Sequence, residues 1–455
     1  MKNTSIDLTR GPVLKVIALF ALPILISNIF QQLYNTADTM IVGNYLGEEA
    51  LAAVGATAAI FELIVGFALG VGNGMSIVIA RYYGARNEDM VKRSVAATLV
   101  IGLGLSLLVM LVGHFGLLPL LGLLGTPANI INQSYAYISV IMSFVIVTFS
   151  YNLGAGLLRA IGNSLMSLVV LVFASILNIV LDITFITRLH LGVAGAGIAT
   201  IIAQALSALL CFIYIYKKCP ILIPRHQHFK LDMALYGDLL GQGLSMGFMS
   251  SIVSIGTVIL QMAINGLGVS MIAAQTTARR IQSFAIMPLT ALASGVATFT
   301  SQNYGAMKYH RIHEGIKKAS RLAISWGIMA VLLLHFLSPA LTQLISGSSK
   351  AELLNASTRY LSWNTPFYPI LGCLFILRNT LQGLGKKVTP LVSSVIELLG
   401  KILFVIFLIP SMGYFGVIIC EPLIWLFMTV QLYYAYREQP FIKQEIAYEK
   451  EKHVQ

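Results

Sequence analysis

Five carboxyl side chains fall inside long apolar stretches of this 455-residue chain: Asp38, Glu62, Asp182, Glu397 and Glu421. An ionised carboxylate in an apolar phase is expensive, so each marks a place where a cation, a proton or a partner side chain is needed. Asn178 precedes Asp182 by four residues, one helical turn away on the same face. Gln31 precedes Asp38 by seven residues, two turns away on a similar face, and Thr200 lies at comparable depth in the following stretch. Together Asp38, Asp182, Asn178, Gln31 and Thr200 offer the oxygen-rich chemistry of a site for H⁺ or another cation. Burial and like charge both favour the neutral form of a carboxyl group, which suits proton capture. The competing reading is a set of hydrogen-bonded groups that join helices.

The remaining polar groups are read the same way. Glu397 and Lys401 stand at i, i+4 in the favourable order. They form either a self-neutralised pair facing a cavity or a place where Glu397 holds a cationic substrate. Glu62 and Glu421 are single acids, read as substrate-contacting groups or as water-exposed lining. Arg279 and Arg280 are expected at the outer interface, where long side chains snorkel. Pro23 is a candidate gating kink, because proline frees a carbonyl within a helix. The 17 Met, 22 Phe and 19 Tyr residues can furnish an adaptable apolar pocket, although most of them must face lipid or core.

The elements that must carry these groups follow from composition. The chain is 57% hydrophobic and 11% charged, against about 25% charged in a soluble domain. Its mean hydropathy is +0.81. It is therefore read as an all-α polytopic membrane protein, since only helices or closed barrels satisfy their backbone in lipid and no stretch alternates like a barrel strand. Twelve apolar stretches are drawn, at 14–45, 52–80, 94–117, 129–157, 165–187, 193–216, 238–265, 272–301, 319–345, 352–378, 388–410 and 414–436. The first is too long for a cleavable signal peptide and is read as a spanning helix. Asp38 then lies roughly 10 Å inside the outer end of its helix, and Asp182 at similar depth.

The net charge of +12 is concentrated in every second loop. Basic residues fill the N-terminus (Lys2, Arg10, Lys15), the second loop (Arg81, Arg86, Lys92, Arg93), the fourth (Arg159) and the sixth (Lys217, Lys218, Arg225, Lys230). The eighth (Lys308, Arg311, Lys317, Lys318, Arg321), the tenth (Arg378, Lys386, Lys387) and the tail (Arg437, Lys443, Lys450, Lys452) continue the series. The alternate loops hold almost none. Both termini are therefore expected in the cytoplasm, at a bacterial-type inner membrane.

Two halves repeat at an offset of 221 residues. Leu46, Gly47, Ala52 and Ala53 recur as Leu267, Gly268, Ala273 and Ala274, and Tyr83, Gly84 and Ala85 recur as Tyr304, Gly305 and Ala306. Gly74 recurs as Gly295 and Gly192 as Gly413, while a small drift pairs Gly162 with Gly385. The expected organisation is a cytoplasmic N-terminus (1–13), an N-lobe (14–216), a cytoplasmic linker (217–237), a C-lobe (238–436) and a cytoplasmic tail (437–455). Six helices per half make the repeats parallel, an arrangement common in carriers with a central cavity. No Walker loop is present, so ATP is not the driving force. GVGNG at 70–74 lies within a spanning stretch and has no strand before it, so it is not a dinucleotide fingerprint. The cysteines Cys211, Cys219, Cys373 and Cys420 have neither metal nor redox spacing. No enzyme activity, cofactor or nucleic-acid partner is expected, and a monomer is.

With these features in view, the chain resembles the multidrug and toxic compound extrusion (MATE) transporters. The resemblance rests on PILISNIFQQLYNTADTMIVG in the first helix, YYGA and QNYGA after the second and eighth, NIVLDI in the fifth and LGVAGAGIAT entering the sixth. It covers about 14–436. It implies N- and C-lobes in a V around a central cavity, and export of organic, often cationic, compounds in exchange for H⁺ or Na⁺ by alternating access. The family's N-lobe acidic site carries over to Asp38, Asn178 and Asp182, where Na⁺ would also sit, with Gln31 and Thr200 as further members. The chain departs from some sodium-coupled members, because its seventh stretch has only Asp238 at one edge and its tenth only Glu352. Coupling through the N-lobe is the better expectation. The alternative is a flippase for lipid-linked precursors, which would call for a more basic cavity. A channel or receptor is a third class, and the duplicated halves argue against it.

Overall fold

Long apolar runs that contain few helix breakers form long helices here. The computed structural model describes residues 5–123, 125–347 and 350–444, and no strand occurs among them. Lys2, Lys450 and Lys452 lie outside the described residues. In chain order the helices of the first half are α1 (Val13–Leu46), α2 (Glu48–Gly84), α3 (Glu88–Leu123), α4 (Ile131–Ser143), α5 (Val145–Ala160), α6 (Ser164–Ile183) and α7 (Gly192–Lys218). The second half has α8 (Met233–Asn265), α9 (Val269–Gly305), α10 (Tyr309–Ser346), α11 (Ala351–Asn364), α12 (Tyr368–Gly383), α13 (Val388–Leu403), α14 (Ile409–Met412) and α15 (Tyr414–Arg437).

Among the described residues, ten helices are long and apolar enough to cross a membrane, and the bent pair α4 and α5 makes an eleventh if it is one span. Two expected crossings are therefore not single helices. The stretch at 129–157 breaks at Phe144, where α4 and α5 meet at 52°. The stretch at 352–378 breaks into α11, a tight turn at Thr365–Phe367 and α12. Pro366 and Pro369 explain the second break, because each removes a backbone donor and crowds the preceding turn. Wide five-residue turns, Thr184–Arg188 after α6 and Phe404–Leu408 after α13, recur at matching places in the two halves.

The backbone repeats as the sequence does. Left-handed φ values occur at Gly47 (86°) and Gly268 (98°), at Gly162 (84°) and Gly385 (78°), and at Gly192 (61°) and Gly413 (59°). Arg86 (56°) and Met307 (54°) share this geometry without being glycine. Each of these two ends a helix with the same pair of bonds. Arg86 N donates to Tyr83 O and Asn87 N to Tyr82 O; Met307 N donates to Tyr304 O and Lys308 N to Asn303 O. Such paired bonds satisfy the last helix carbonyls.

By contacts the helices form two compact units. One comprises Ile26–Ser251 with the segment ending at Asp7, and the other comprises Leu8–Leu25 with the segment starting at Ile252. The leading helix of each repeat, α1 or α8, thus contributes residues to both units. In the first unit GVGNG is a packing surface. A β-carbon on Gly74 would overlap the Gln242 carbonyl of α8, and one on Gly70 would stand 2.6 Å from the Met246 carbonyl. In the second unit the repeat counterpart Gly295 faces α1, with Ala21 Cβ 3.2 Å from the position of its missing β-carbon.

Gly74→Ala should therefore destabilise the protein by about 1–3 kcal/mol through overpacking. Gly104→Ala has nothing within 4 Å of the new carbon and should be neutral or slightly stabilising. Thermal denaturation of the two variants in detergent checks the contrast.

Candidate functional site

The first unit packs α6 against α7, and Asp38 of α1 comes up to Asp182 of α6. Asn163 starts α6 by accepting a bond from Met166 N at 3.0 Å, as N-cap asparagines do. That start sets the phase that turns Asn178 and Asp182 inward, and Asp182 is fully buried. Asp38 of α1 approaches Asp182 within hydrogen-bonding reach. Two bare carboxylates have no hydrogen between them to share. Asp38 Oδ1, both carboxylate oxygens of Asp182 and Asn178 Oδ1 are buried and receive no donor. The Asn178 amide is turned away from them: its Nδ2 donates to Thr200 Oγ1 at 3.4 Å, and Thr200 Oγ1 donates to Ala196 O at 3.1 Å.

Beside this pair lies a cavity of about 40 Å³, lined by Gln31, Tyr34, Asn152, Asn178, Thr200 and Gln204 among others. That is room for a few water-sized occupants. Of the five residues singled out for ion chemistry, Gln31, Asn178 and Thr200 line this cavity, and Asp38 and Asp182 pair with each other without lining it. Sequence reasoning missed Tyr34 and Tyr137, which stand close to both acids. Tyr34 had a readable signal, since it precedes Asp38 by four residues on one helix face. Tyr137 on α4 had none.

The second unit holds a different cluster. Lys401 Nζ is 3.0 Å from Glu397 and 3.9 Å from Glu421. Arg279 Nη2 donates to Glu421 Oε1 at 2.8 Å, and Tyr360 Oη donates to Glu421 Oε2 at 3.1 Å. Arg378 lies 3.8 Å from Glu397 and donates to Ser393 Oγ at 3.0 Å. Three cations thus surround two carboxylates on α9, α12, α13 and α15. Arg279, expected to snorkel to the outer interface, instead turns inward because Glu421 is there to receive it. Arg280 next to it is exposed. Glu62 is exposed on α2 and joins neither cluster. Pro23 sits within an unbroken α1, two residues before the passage from one unit to the other at Leu25 and Ile26. Its ring leaves the Leu19 carbonyl without the usual helix donor.

These clusters sit in a chain whose halves both match one family. The MatE family model matches residues 23–184 and 246–407, one match in each repeat. The Bacillus subtilis protein named "Probable multidrug resistance protein YoeA" is 28% identical over 402 residues, covering 86% of each chain. "Probable multidrug resistance protein YpnP" of the same organism is 27% identical over 393 residues, covering 86% of this chain and 87% of its own length. The fold is similar to that of a MATE crystallised in a bent conformation. The TM-score is 0.89 at 24% identity, over 97% of this chain and 98% of that one.

Removing one member of a buried ion network leaves a charge uncompensated and costs about 3–5 kcal/mol. Arg279→Gln should therefore lower the denaturation midpoint clearly, whereas Arg280→Gln should leave it nearly unchanged. Unfolding curves of the two variants under one condition measure the difference.

Proposed function

The chain is a member of the MatE family, a multi-pass membrane protein, and from that premise we propose that it exports organic, lipophilic, cationic compounds in exchange for H⁺ or Na⁺. The observation that carries the proposal is the cluster of four buried acceptor oxygens on Asp38, Asp182 and Asn178 without a donor. Two like charges about 4 Å apart repel by roughly 4 kcal/mol at an effective dielectric of 20. A proton between the carboxyls, or a small cation among the oxygens, relieves that repulsion. Oxygen ligands suit a hard cation such as Na⁺.

The cycle follows from that relief. With its acids ionised, the site draws a lipophilic cation from the cytoplasmic side. On the outer side a proton or Na⁺ neutralises the pair and the attraction for the drug is lost. Ion and drug thus exclude one another, which is the condition for coupled exchange. One ion entering against one monovalent cation leaving moves no net charge, so a one-for-one exchange is driven by the ion's concentration gradient, and only a further ion per cargo adds about 2.3 kcal/mol per 100 mV. Bending of α1 at Pro23 supplies local give, and the Glu397, Lys401 and Glu421 cluster sets the polarity of the second half. We place both termini in the cytoplasm on the basis of the alternating basic loops, and treat the protein as a monomer of a bacterial-type inner membrane. The flippase alternative is not favoured: both relatives carry multidrug resistance names, and the unsatisfied site here is acidic.

Proteoliposomes loaded with a fluorescent cationic dye test the reading under imposed pH or Na⁺ gradients. Wild type should move dye against its gradient with one ion or the other. Asp38→Asn and Asp182→Asn should each slow gradient-driven transport at least about tenfold, the span seen when a buried charge interaction is lost, with little change in thermal midpoint. Wild-type rates in both variants would remove these acids from the coupling step.

A further inference from the structure

In the unit that starts at Ile252, α10, α12 and α15 enclose a second and much larger cavity, of about 790 Å³, which the transport reading does not use. Its polar rim is basic: Lys317 and Arg321 from the beginning of α10, and Arg437, which ends α15. The Arg437 guanidinium lies over the Tyr433 ring, 5.7 Å from its centre. Leu377 of α12 and Val430 of α15 line it with apolar side chains, six and seven residues before the ends of their helices. No acidic residue lines the cavity among the described residues.

This arrangement has the layout of a lipid site. Basic side chains and a tyrosine stand where charged loops meet the apolar spans, the level at which aromatic residues and headgroups meet. Ile316, Leu377 and Val430 add an apolar wall to the same cavity. Guanidinium and ammonium groups bind a phosphodiester with charge-assisted hydrogen bonds. Basic pockets between membrane helices on the cytoplasmic side receive anionic headgroups in this way. A soluble phosphate would use the rim and leave the apolar wall wet, whereas a phospholipid covers both. We propose that this cavity binds an anionic phospholipid, with its phosphate at Lys317, Arg321 and Arg437 and an acyl chain along Leu377 and Val430.

The full-length protein, reconstituted in bilayers of equal phosphatidylglycerol and phosphatidylcholine and then extracted in mild detergent, is examined for retained lipid by native mass spectrometry. Wild type should keep phosphatidylglycerol in preference to phosphatidylcholine. Lys317→Gln, Arg321→Gln and Arg437→Gln should each reduce phosphatidylglycerol retention roughly fivefold, with phosphatidylcholine unchanged. Equal retention of the two lipids by wild type would overturn the proposal, and that comparison needs no variant. So would a triple variant that retains phosphatidylglycerol as wild type does. Displacement of the lipid by excess inorganic phosphate would assign the rim to a soluble anion instead.

Discussion

Two carboxyl groups held side by side in an apolar interior, with no donor to satisfy them, cannot rest as they are. Asp182 is fully buried and receives no donor on either oxygen, half-buried Asp38 receives none on Oδ1, and the Asn178 amide donates to Thr200. The approach of Asp38 on α1 to Asp182 on α6 therefore creates an electrostatic demand that the protein's own side chains leave unmet. A mobile cation or proton is the simplest group that meets it. The rest of the functional reading, from coupling to mutual exclusion with a cationic cargo, derives from that demand.

The two halves answer the same backbone plan with opposite chemistry. Positive-φ residues, helix-ending bonds and wide turns recur through the chain. Glu421 stands 221 residues after Thr200, so the two clusters share the α7 and α15 position of the repeat, while the second draws its cations from α9, α12 and α13. There Lys401, Arg279 and Arg378 supply built-in cations to Glu397 and Glu421. A site that carries its own counter-charges has no need of a passing ion. Buried networks of this kind are costly to break and are retained where they fix one arrangement. The repeats thus share a frame while their buried charges differ: acids without built-in cations in the first unit, acids paired with cations in the second.

Much of this was legible from residue types and spacing. Carboxylates inside apolar runs stand out, and helical periodicity placed Asn178 with Asp182 and Gln31 with Asp38. The repeat was visible in its glycines. What escaped detection depended on partners distant in sequence. Arg279 reads as an interfacial residue because a long cationic side chain usually reaches for water; its partner Glu421, 142 residues along the chain, turns it inward. The break at Phe144 was unreadable because neither Pro nor Gly is near it. The break at Thr365–Phe367 did have its prolines, yet hydropathy alone ran straight through them. GVGNG lacks the strand of a nucleotide motif, and its use as a close-packing surface for α8 is visible only from its three-dimensional neighbours.

The central claim is that ion and cargo compete for the acid pair. It is tested most directly by following ion release while a lipophilic cation binds to purified protein in weakly buffered detergent. The account predicts release of protons, or of preloaded Na⁺, in step with binding, and loss of that release in the Asp38→Asn, Asp182→Asn double variant. Saturable binding by wild type with no release of either ion would contradict it.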